Sequence, residues 1–135
     1  VCDQRPDAAS RDILPQAAEI YCLPYEDAFA HLPPVTAADY VVVMTPGHEG
    51  DYEVLRQALR TPARYIGCIG SRRKATALRE RLLAAGFSEE AVDRVRSPIG
   101  LPIGGDTPAE IAVSIAAQLI ACRSGRLEEG ERHGG

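Results

Sequence analysis

The 135-residue sequence lacks several features that would assign it to a functional class at once. Its longest uncharged apolar runs, residues 40–45 and 111–122, are too short or too rich in alanine to cross a bilayer. Lysine and arginine number 15 against 19 aspartates and glutamates, which gives a formal net charge of -4. This balance argues against a broad nucleic-acid surface. We therefore expect no membrane segment and no nucleic-acid partner, and any basic site must be local.

The four cysteines contain no CxxC pair, and no apolar signal peptide precedes them. A disulfide framework or a zinc site is therefore not expected, and a reducing cytoplasm fits this usage. Cys68 falls near the end of a predicted strand, where it is either a small buried residue or a thiol that reaches a cofactor and carries sulfur. We expect the others to be small buried residues: Cys2, Cys22 and Cys122.

Several catalytic signatures are also absent. The sequence has no Ser-His-Asp order, no HxxxH or HExxH pattern and no Walker lysine loop. Hydrolase and NTPase functions are therefore disfavoured, and we assign no catalytic and no metal-binding residue.

The composition that remains, 45% hydrophobic and 25% charged, is that of one ordinary folded domain. Five segments favour strands: residues 1–3, 18–22, 39–45, 65–69 and 95–97. Three consecutive valines in segment 39–45 suggest burial on both faces, as in the centre of a parallel sheet.

Three helical patterns follow the strands. The first has an apolar face after Asp51, its predicted N-cap. The second begins after Ser71 and ends at Gly86, as a C-terminal glycine should. The third opens with a capping box over residues 107–110, with proline at its first position. Its apolar stripe predicts a helix buried against a sheet: Ile111, Ala112, Ile115, Ala116, Leu119 and Ile120.

The alternation of strands and helices predicts an α/β fold, a Rossmann-like parallel sheet with helices on both faces. We assign residues 1–123 to this domain and the polar, glycine-rich residues 124–135 to a disordered tail. The sequence begins with Val1 rather than with methionine, so we expect it to be a fragment whose upstream part is missing.

The loop after segment 65–69 carries the strongest chemical signal, because ligands of open parallel sheets bind at the carboxyl ends of strands. Arg72, Arg73 and Lys74 occupy the first turn of a helix, where the helix dipole disfavours three cations unless an anion is present. A phosphate there would accept bonds from a nest that Gly70 and Ser71 supply. The alternative is a solvated basic turn whose cations pair with surface carboxylates.

Two other loops are candidates. His48 follows the valine strand and is either a ligand donor or general acid, or a loop histidine near a helix start. The segment 98–107 is stiffened by prolines and has no side chains at Gly104 and Gly105. It suits a wall that contacts a flat ligand through its backbone, or a rigid connection that places the last helix.

Asp3 is a further candidate. An acidic residue at the end of a strand commonly holds ribose hydroxyls in dinucleotide-binding folds, about twenty residues after a GxGxxG turn. That turn is absent here. A turn-capping role for Asp3 through Arg5 or the following amides fits the sequence equally well.

Two strings make the sequence resemble the C-terminal Rossmann domain of the XdhC/CoxI family, the xanthine dehydrogenase accessory proteins. They are YIGCIGSRRK at residues 65–74 and SPIGLPIGGDTPAEIAVSIAA at residues 97–117. The valine strand with His48 and Asp51 agrees with the family, and so does CDQRP at residues 2–6. The resemblance extends from about residue 3 to residue 123.

The resemblance implies a non-catalytic protein that binds the molybdenum cofactor, a pterin with a phosphate, and delivers it to a molybdenum hydroxylase such as xanthine dehydrogenase. It also implies a cysteine desulfurase as a sulfur-donating partner, and a homo-oligomer. Arg72, Arg73 and Lys74 would then hold the phosphate, while His48 and Asp51 would line the crevice. An oxidoreductase that binds NAD(P) in the same crevice is the alternative, although no proton donor adjoins a nicotinamide subsite.

The family's Rossmann domain begins with a glycine-containing first strand, which this sequence lacks together with its helix. Their loss would remove the middle of the sheet and expose two strand flanks. We therefore expect pairing between copies, rearrangement or marginal stability.

Overall fold

The sheet at the centre of the molecule has three parallel strands in the order β1-β2-β3. The structure is a computed structural model and describes residues 1–127. The strands are β1 (Tyr40–Val43), β2 (Tyr65–Cys68) and β3 (Val95–Arg96). Parallel neighbours require crossover connections, which here contain helices. The predicted α/β class with a parallel sheet is confirmed.

Five α-helices accompany the sheet among residues 1–127, and a 3-10 turn at Tyr25–Asp27 precedes the first. Two short helices had no counterpart in the sequence prediction, because four residues are too few to show a helical period. The helices are α1 (Ala28–His31), α2 (His48–Ala58), α3 (Arg72–Ala84), α4 (Glu89–Val92) and α5 (Pro108–Arg123).

The main core lies between one face of the sheet and the helices α2 and α3. Successive side chains of a strand point to opposite faces, so Ile66 and Cys68 of β2 share this face. Both are buried with Leu55 of α2 and Leu82 of α3. On the other face of β2, the Tyr65 hydroxyl bonds to a side chain of α5, so helices cover both faces.

The strand β1 is less buried than its three valines predicted. Val43 faces the core, but Val42 is 37% exposed and Met44 beyond the strand is 54% exposed. Among the described residues, β1 pairs with β2 alone. The prediction of burial on both faces was wrong for β1 and fits β2, where every residue is buried. A run of branched residues favours a strand but does not say whether both of its faces are covered.

The two predicted strands near the N-terminus reduce to a single parallel bridge between Cys2 and Tyr21, which lies outside the three-stranded sheet. Two backbone hydrogen bonds hold it, from Asp3 N to Tyr21 O at 3.1 Å and from Tyr21 N to Val1 O at 2.8 Å. Parallel pairing in the described part of the chain therefore occurs in two separate pieces.

The helix α2 begins earlier than predicted. Its first residue is His48 and its N-cap is Gly47, so Asp51 is not the N-cap. Asp51 lies inside the first turn, where its Oδ1 accepts hydrogen bonds from Thr45 N at 3.0 Å and Thr45 Oγ1 at 2.8 Å. The Asp51 carboxylate thus binds the residues that precede the helix from a position inside its first turn. A sequence pattern cannot distinguish this arrangement from an aspartate at the N-cap.

The N-cap Ser71, the terminal Gly86 and the capping box at Thr107 are confirmed for α3 and α5. The buried residues of α5, however, are Ser114 and Gln118. The prediction that its apolar stripe would be buried was wrong, because polar side chains bond this helix to the sheet and to the preceding loop. None of the six predicted positions is fully buried, and Ile120 is 52% exposed.

Residues 128–135, most of the predicted tail, lie outside the described residues. No helix among residues 1–127 combines the length and the apolar character needed to span a bilayer.

Candidate functional site

The loops after the three strands meet at one edge of the sheet. Ile69 N donates to Val43 O at 3.0 Å, which joins the ends of β1 and β2. The oxygen of Cys68 accepts from Ile99 N at 3.1 Å and from Ser97 Oγ at 3.1 Å, which joins the ends of β2 and β3. This carboxyl edge is where open parallel sheets bind ligands.

The N-terminus of α3 presents free backbone donors at this edge. Ser71 Oγ accepts a hydrogen bond from Lys74 N at 3.2 Å, as a helix cap does. The backbone N–H groups of residues 70–73 make no hydrogen bond to any described residue. Gly70 has a φ of 145°, a conformation that glycine adopts most readily. Free N–H groups at the positive end of a helix dipole are suited to an anion.

The cations of the same turn are unpaired. Arg72, Arg73 and Lys74 are exposed, and within residues 1–127 none of their charged groups makes an ion pair or a hydrogen bond. The alternative predicted from sequence was a solvated basic turn whose cations pair with surface carboxylates; the cations are exposed, but that pairing does not occur among residues 1–127.

Two arginines further along α3 have carboxylate partners, unlike those of its first turn. Arg79 Nη1 donates to Asp93 Oδ1 at 2.7 Å. Arg81 Nη2 donates to Glu49 Oε1 at 3.0 Å, and this guanidinium lowers the pKa of Glu49. Carboxylates thus pair with the arginines that lie two to three turns after the start of α3. The N-terminal turn of α3, which has the free N–H groups, keeps its positive charge.

A cavity of about 370 Å³, which we name the loop cavity, lies beside this turn. Four of the residues singled out from the sequence line it together: Gly70, Arg72, Gly104 and Gly105. Most of its wall is the segment 98–105, and Ile111 and Ser114 of α5 complete it. The volume lies within the range of small-molecule sites.

Polar contacts to α5 fix the wall of the loop cavity. Gly100 N donates to Gln118 Oε1 at 3.0 Å, Leu101 N donates to Ser114 O at 3.1 Å, and Ser114 Oγ donates to Leu101 O. Gly100 has a φ of 94°, and a Cβ there would collide with Ser114 Oγ. The segment therefore connects rigidly to α5 and also lines the cavity, so the two predictions for this loop are compatible.

A second cavity of about 380 Å³ also adjoins this turn, and we name it the α3 cavity. It shares Arg72 and Pro98 with the loop cavity. No sequence pattern indicated it, because its lining comes from three helices and a strand that are separated in sequence. The other lining residues are Leu55, Ala75, Thr76, Leu78, Arg79, Leu82, Val92, Asp93, Val95 and Ser97.

Asp51 and Cys68 face each other inside the fold and line neither cavity. Asp51 is 7% exposed. Burial, together with the charge and hydrogen bond of Asp51, raises the pKa of Cys68 to about 12. The thiol is therefore protonated at neutral pH, as a buried structural cysteine is. The expectation of burial was wrong for Cys22, which is exposed, and Cys2 and Cys122 are only partly buried.

Asp3 caps a turn. Its Oδ1 accepts from Arg5 N at 2.9 Å, Arg5 Nε at 3.1 Å and Tyr25 Oη at 3.1 Å, and its Oδ2 accepts from Arg5 Nη2 at 2.9 Å. The hydrogen bonds from Arg5 lower the pKa of Asp3 to about 2. Asp3 lines neither cavity, so the structure favours the turn-capping alternative over a ribose contact.

His48 is exposed at the start of α2 and makes no side-chain hydrogen bond to a described residue. It lines neither cavity. No group of three or more histidine, cysteine, aspartate or glutamate side chains in residues 1–127 could hold a metal ion.

Known proteins share both this sequence and this fold. The XdhC Rossmann domain matches residues 1–119. The chain belongs to this family. A solved structure of a xanthine dehydrogenase from Bacillus halodurans is similar to this chain, with 31% sequence identity and a TM-score of 0.76. The similarity covers 93% of this chain and 36% of the Bacillus halodurans chain.

Two curated relatives are longer proteins. A probable xanthine dehydrogenase subunit of Bacillus subtilis is 28% identical over 123 residues, which are 91% of this chain and 35% of that protein. The uncharacterized protein YqeB of Escherichia coli is 31% identical over 86 residues, which are 64% of this chain and 16% of that protein. The chain thus spans only about a third or less of these relatives.

Proposed function

We propose that this XdhC Rossmann domain binds the molybdenum cofactor and serves the maturation of a xanthine dehydrogenase-type molybdenum hydroxylase. In this proposal it is a binding and delivery protein rather than an enzyme. The observation that carries the proposal is the first turn of α3, where three cations without partners and four free backbone N–H groups lie beside the loop cavity.

The donor set of this turn fits a phosphate ester. An anion here would accept bonds from the N–H groups of residues 70–73, and the guanidinium of Arg72, which lines both cavities, would bind it from the side. Arg73 and Lys74 add positive charge without facing either cavity, which favours the approach of an anion. Gly104 lines the loop cavity and adds no side chain to its wall.

The proposed partner follows from the relatives. Family membership and the names of the Bacillus proteins favour a molybdenum hydroxylase of the xanthine dehydrogenase type. The cysteine desulfurase and the homo-oligomer, which the family resemblance implies, stay predictions.

Calorimetric titration tests the proposal. Molybdenum cofactor released from a purified hydroxylase would be titrated into the wild type, an Arg72→Ala/Arg73→Ala variant and a control Arg123→Ala/Arg126→Ala. The control removes the same charge from exposed arginines that line neither cavity. We expect the first variant to lose about tenfold to a hundredfold in affinity, since each charge-assisted bond contributes about 1.5–3 kcal/mol, and the control to bind as the wild type does. Tight binding of NAD with no binding of the pterin would reverse the assignment in favour of a nicotinamide-dependent oxidoreductase.

A further inference from the structure

We propose that the side of α5 that points away from the sheet is an interaction surface, and that it binds α5 of a second copy of this chain in antiparallel orientation. The inference concerns residues that take no part in the anion site, so it does not depend on the proposed function. The family resemblance implies a homo-oligomer but indicates no surface for it.

The outward side of α5 is apolar and exposed. Ser114 and Gln118 are buried against the preceding loop and the sheet, and Ala116 lies about 160° around the helix from each of them. Val113 is 60% exposed and Ile120 is 52% exposed. The exposed apolar residues of this side, which we name the outer seam, are Ala109, Val113, Ala116 and Ile120.

The spacing of the outer seam is that of a helix-packing interface. Its residues are separated by four, three and four positions, the a/d spacing that keeps a narrow apolar stripe against a partner helix. Between Glu110 and Arg123 the helix has no charged residue. Helices that are apolar on all sides are normally buried, yet no element among residues 1–127 covers this seam. An exposed apolar stripe of this kind marks a protein interaction site.

A second copy of α5 complements the shape of the outer seam. Small and large residues alternate along it, so in an antiparallel pair each large side chain lies opposite a small one. In this register Ala109 lies opposite Ile120 of the second copy. The same register places Val113 opposite Ala116 of the second copy, and two-fold symmetry repeats both contacts. A parallel pair would instead place large residues against each other and leave gaps at the alanines.

The two ends of the outer seam carry opposite charges. Asp106 precedes the helix and Arg123 ends it, and both are exposed. Neither side chain makes an ion pair or a hydrogen bond within residues 1–127. The antiparallel register, continued by three residues, brings Asp106 beside Arg123 of the second copy at both ends. The surface is thus complementary to itself in shape and in charge, which favours a second copy over an unrelated partner.

The size of the surface predicts a weak dimer. One helix contributes less than the roughly 800 Å² per partner of a standard interface. We therefore expect a reversible dimer with a Kd of about 1–100 µM. Sedimentation velocity measurements on the chain between about 1 and 300 µM would cover this range.

A matched pair of variants locates the surface. Ile120→Glu places a carboxylate in the apolar seam and should raise the Kd of the dimer at least about tenfold. Ile13→Glu is the control, because Ile13 is 63% exposed and lies outside α5, and it should dimerise as the wild type does. Val113→Glu is a second seam variant in case Ile120→Glu does not fold, which circular dichroism would reveal.

Charge reversal tests the orientation. Asp106→Arg alone and Arg123→Asp alone would each bring like charges together at both ends, so each should raise the Kd about threefold to tenfold at low salt. The double variant restores opposite charges and should bind within about twofold of the wild type. In a parallel pair each position would meet its own copy, and the double variant would rescue nothing.

Three outcomes would overturn the inference. A chain that stays monomeric over the whole concentration range has no such interface. A dimer that persists unchanged in Ile120→Glu and Val113→Glu forms through another surface. A dimer that the seam variants disrupt but that the double charge reversal does not restore is not antiparallel in this register.

Discussion

The hydroxyl of Tyr65 donates to Oε1 of Gln118 at 2.6 Å, and the same oxygen accepts from Gly100 N at 3.0 Å. One amide oxygen thus joins the central strand, the wall of the loop cavity and α5. Burial raises the pKa of Tyr65, so its hydroxyl stays a donor across the physiological range. The buried polar side chains of α5 therefore determine where the segment 98–105 lies relative to the first turn of α3.

Gln118→Leu should destabilise the protein by about 1–3 kcal/mol, because it leaves the buried Tyr65 hydroxyl and the Gly100 N–H without a partner. Chemical denaturation monitored by circular dichroism measures this loss. A double-mutant cycle with Tyr65→Phe is the control, and the double variant should lose less than the sum of the single variants. Additive losses would show that the two side chains do not act together.

Gly100→Ala and Gly104→Ala form a second matched pair. Both glycines have positive φ values, 94° and 80°, so alanine strains the backbone at each by about 1 kcal/mol. Only at Gly100 would the new Cβ also meet Ser114 Oγ and approach Ile115 N at 3.1 Å. We expect Gly100→Ala to lower the free energy of unfolding by about 1–3 kcal/mol more than Gly104→Ala does. If both variants lost the same free energy of unfolding in urea titrations, Gly100 would not pack closely against α5.

The Asp3–Arg5 pair predicts an acid-dependent contribution to stability. The pKa of Asp3 is lowered in the folded state from 3.8 to about 2, chiefly by hydrogen bonds from Arg5. The stabilisation is therefore present above about pH 4 and is lost as the pH falls from about 4 to 2. An NMR titration of the Asp3 carboxyl in Arg5→Ala should show its pKa returning towards 3.8. Arg11→Ala removes a cation that does not contact Asp3, and it should leave the pKa of Asp3 low.

The cysteines should differ sharply in reactivity. Cys22 is exposed, whereas Cys68 is fully buried with its pKa raised to about 12. Because the thiolate is the reactive form, a thiol reagent at neutral pH should label Cys22 in the folded protein and Cys68 only after unfolding. Peptide mapping by mass spectrometry identifies the labelled sites. Labelling of Cys68 at the rate of Cys22 would restore the possibility that it carries sulfur.

Sequence patterns predicted the elements whose signals are local. The cap at Ser71, the terminal glycine at position 86 and the capping box at Thr107 depend on neighbouring residues, and all three are confirmed. The exposure of Val42 and the burial of Gln118 were not predictable, because each depends on residues distant in sequence.

Some residues of the candidate site were likewise predicted from local sequence signals, and others were not. The cationic turn and Gly104 and Gly105 were found from the sequence, because ligands of parallel sheets bind at strand ends. The burial of Asp51 and the α3 cavity were not, since both arise from packing between helices and strands.

The most direct measurement is the response of the backbone amides to a phosphate-bearing probe. Inorganic pyrophosphate would be titrated into the 15N-labelled protein while the amide chemical shifts of each residue are followed by NMR. We predict that the largest saturable shifts fall on residues 70–73 and that they disappear in Arg72→Ala/Arg73→Ala. Saturable shifts centred elsewhere, or none at these four amides, would contradict an anion site at the N-terminus of α3.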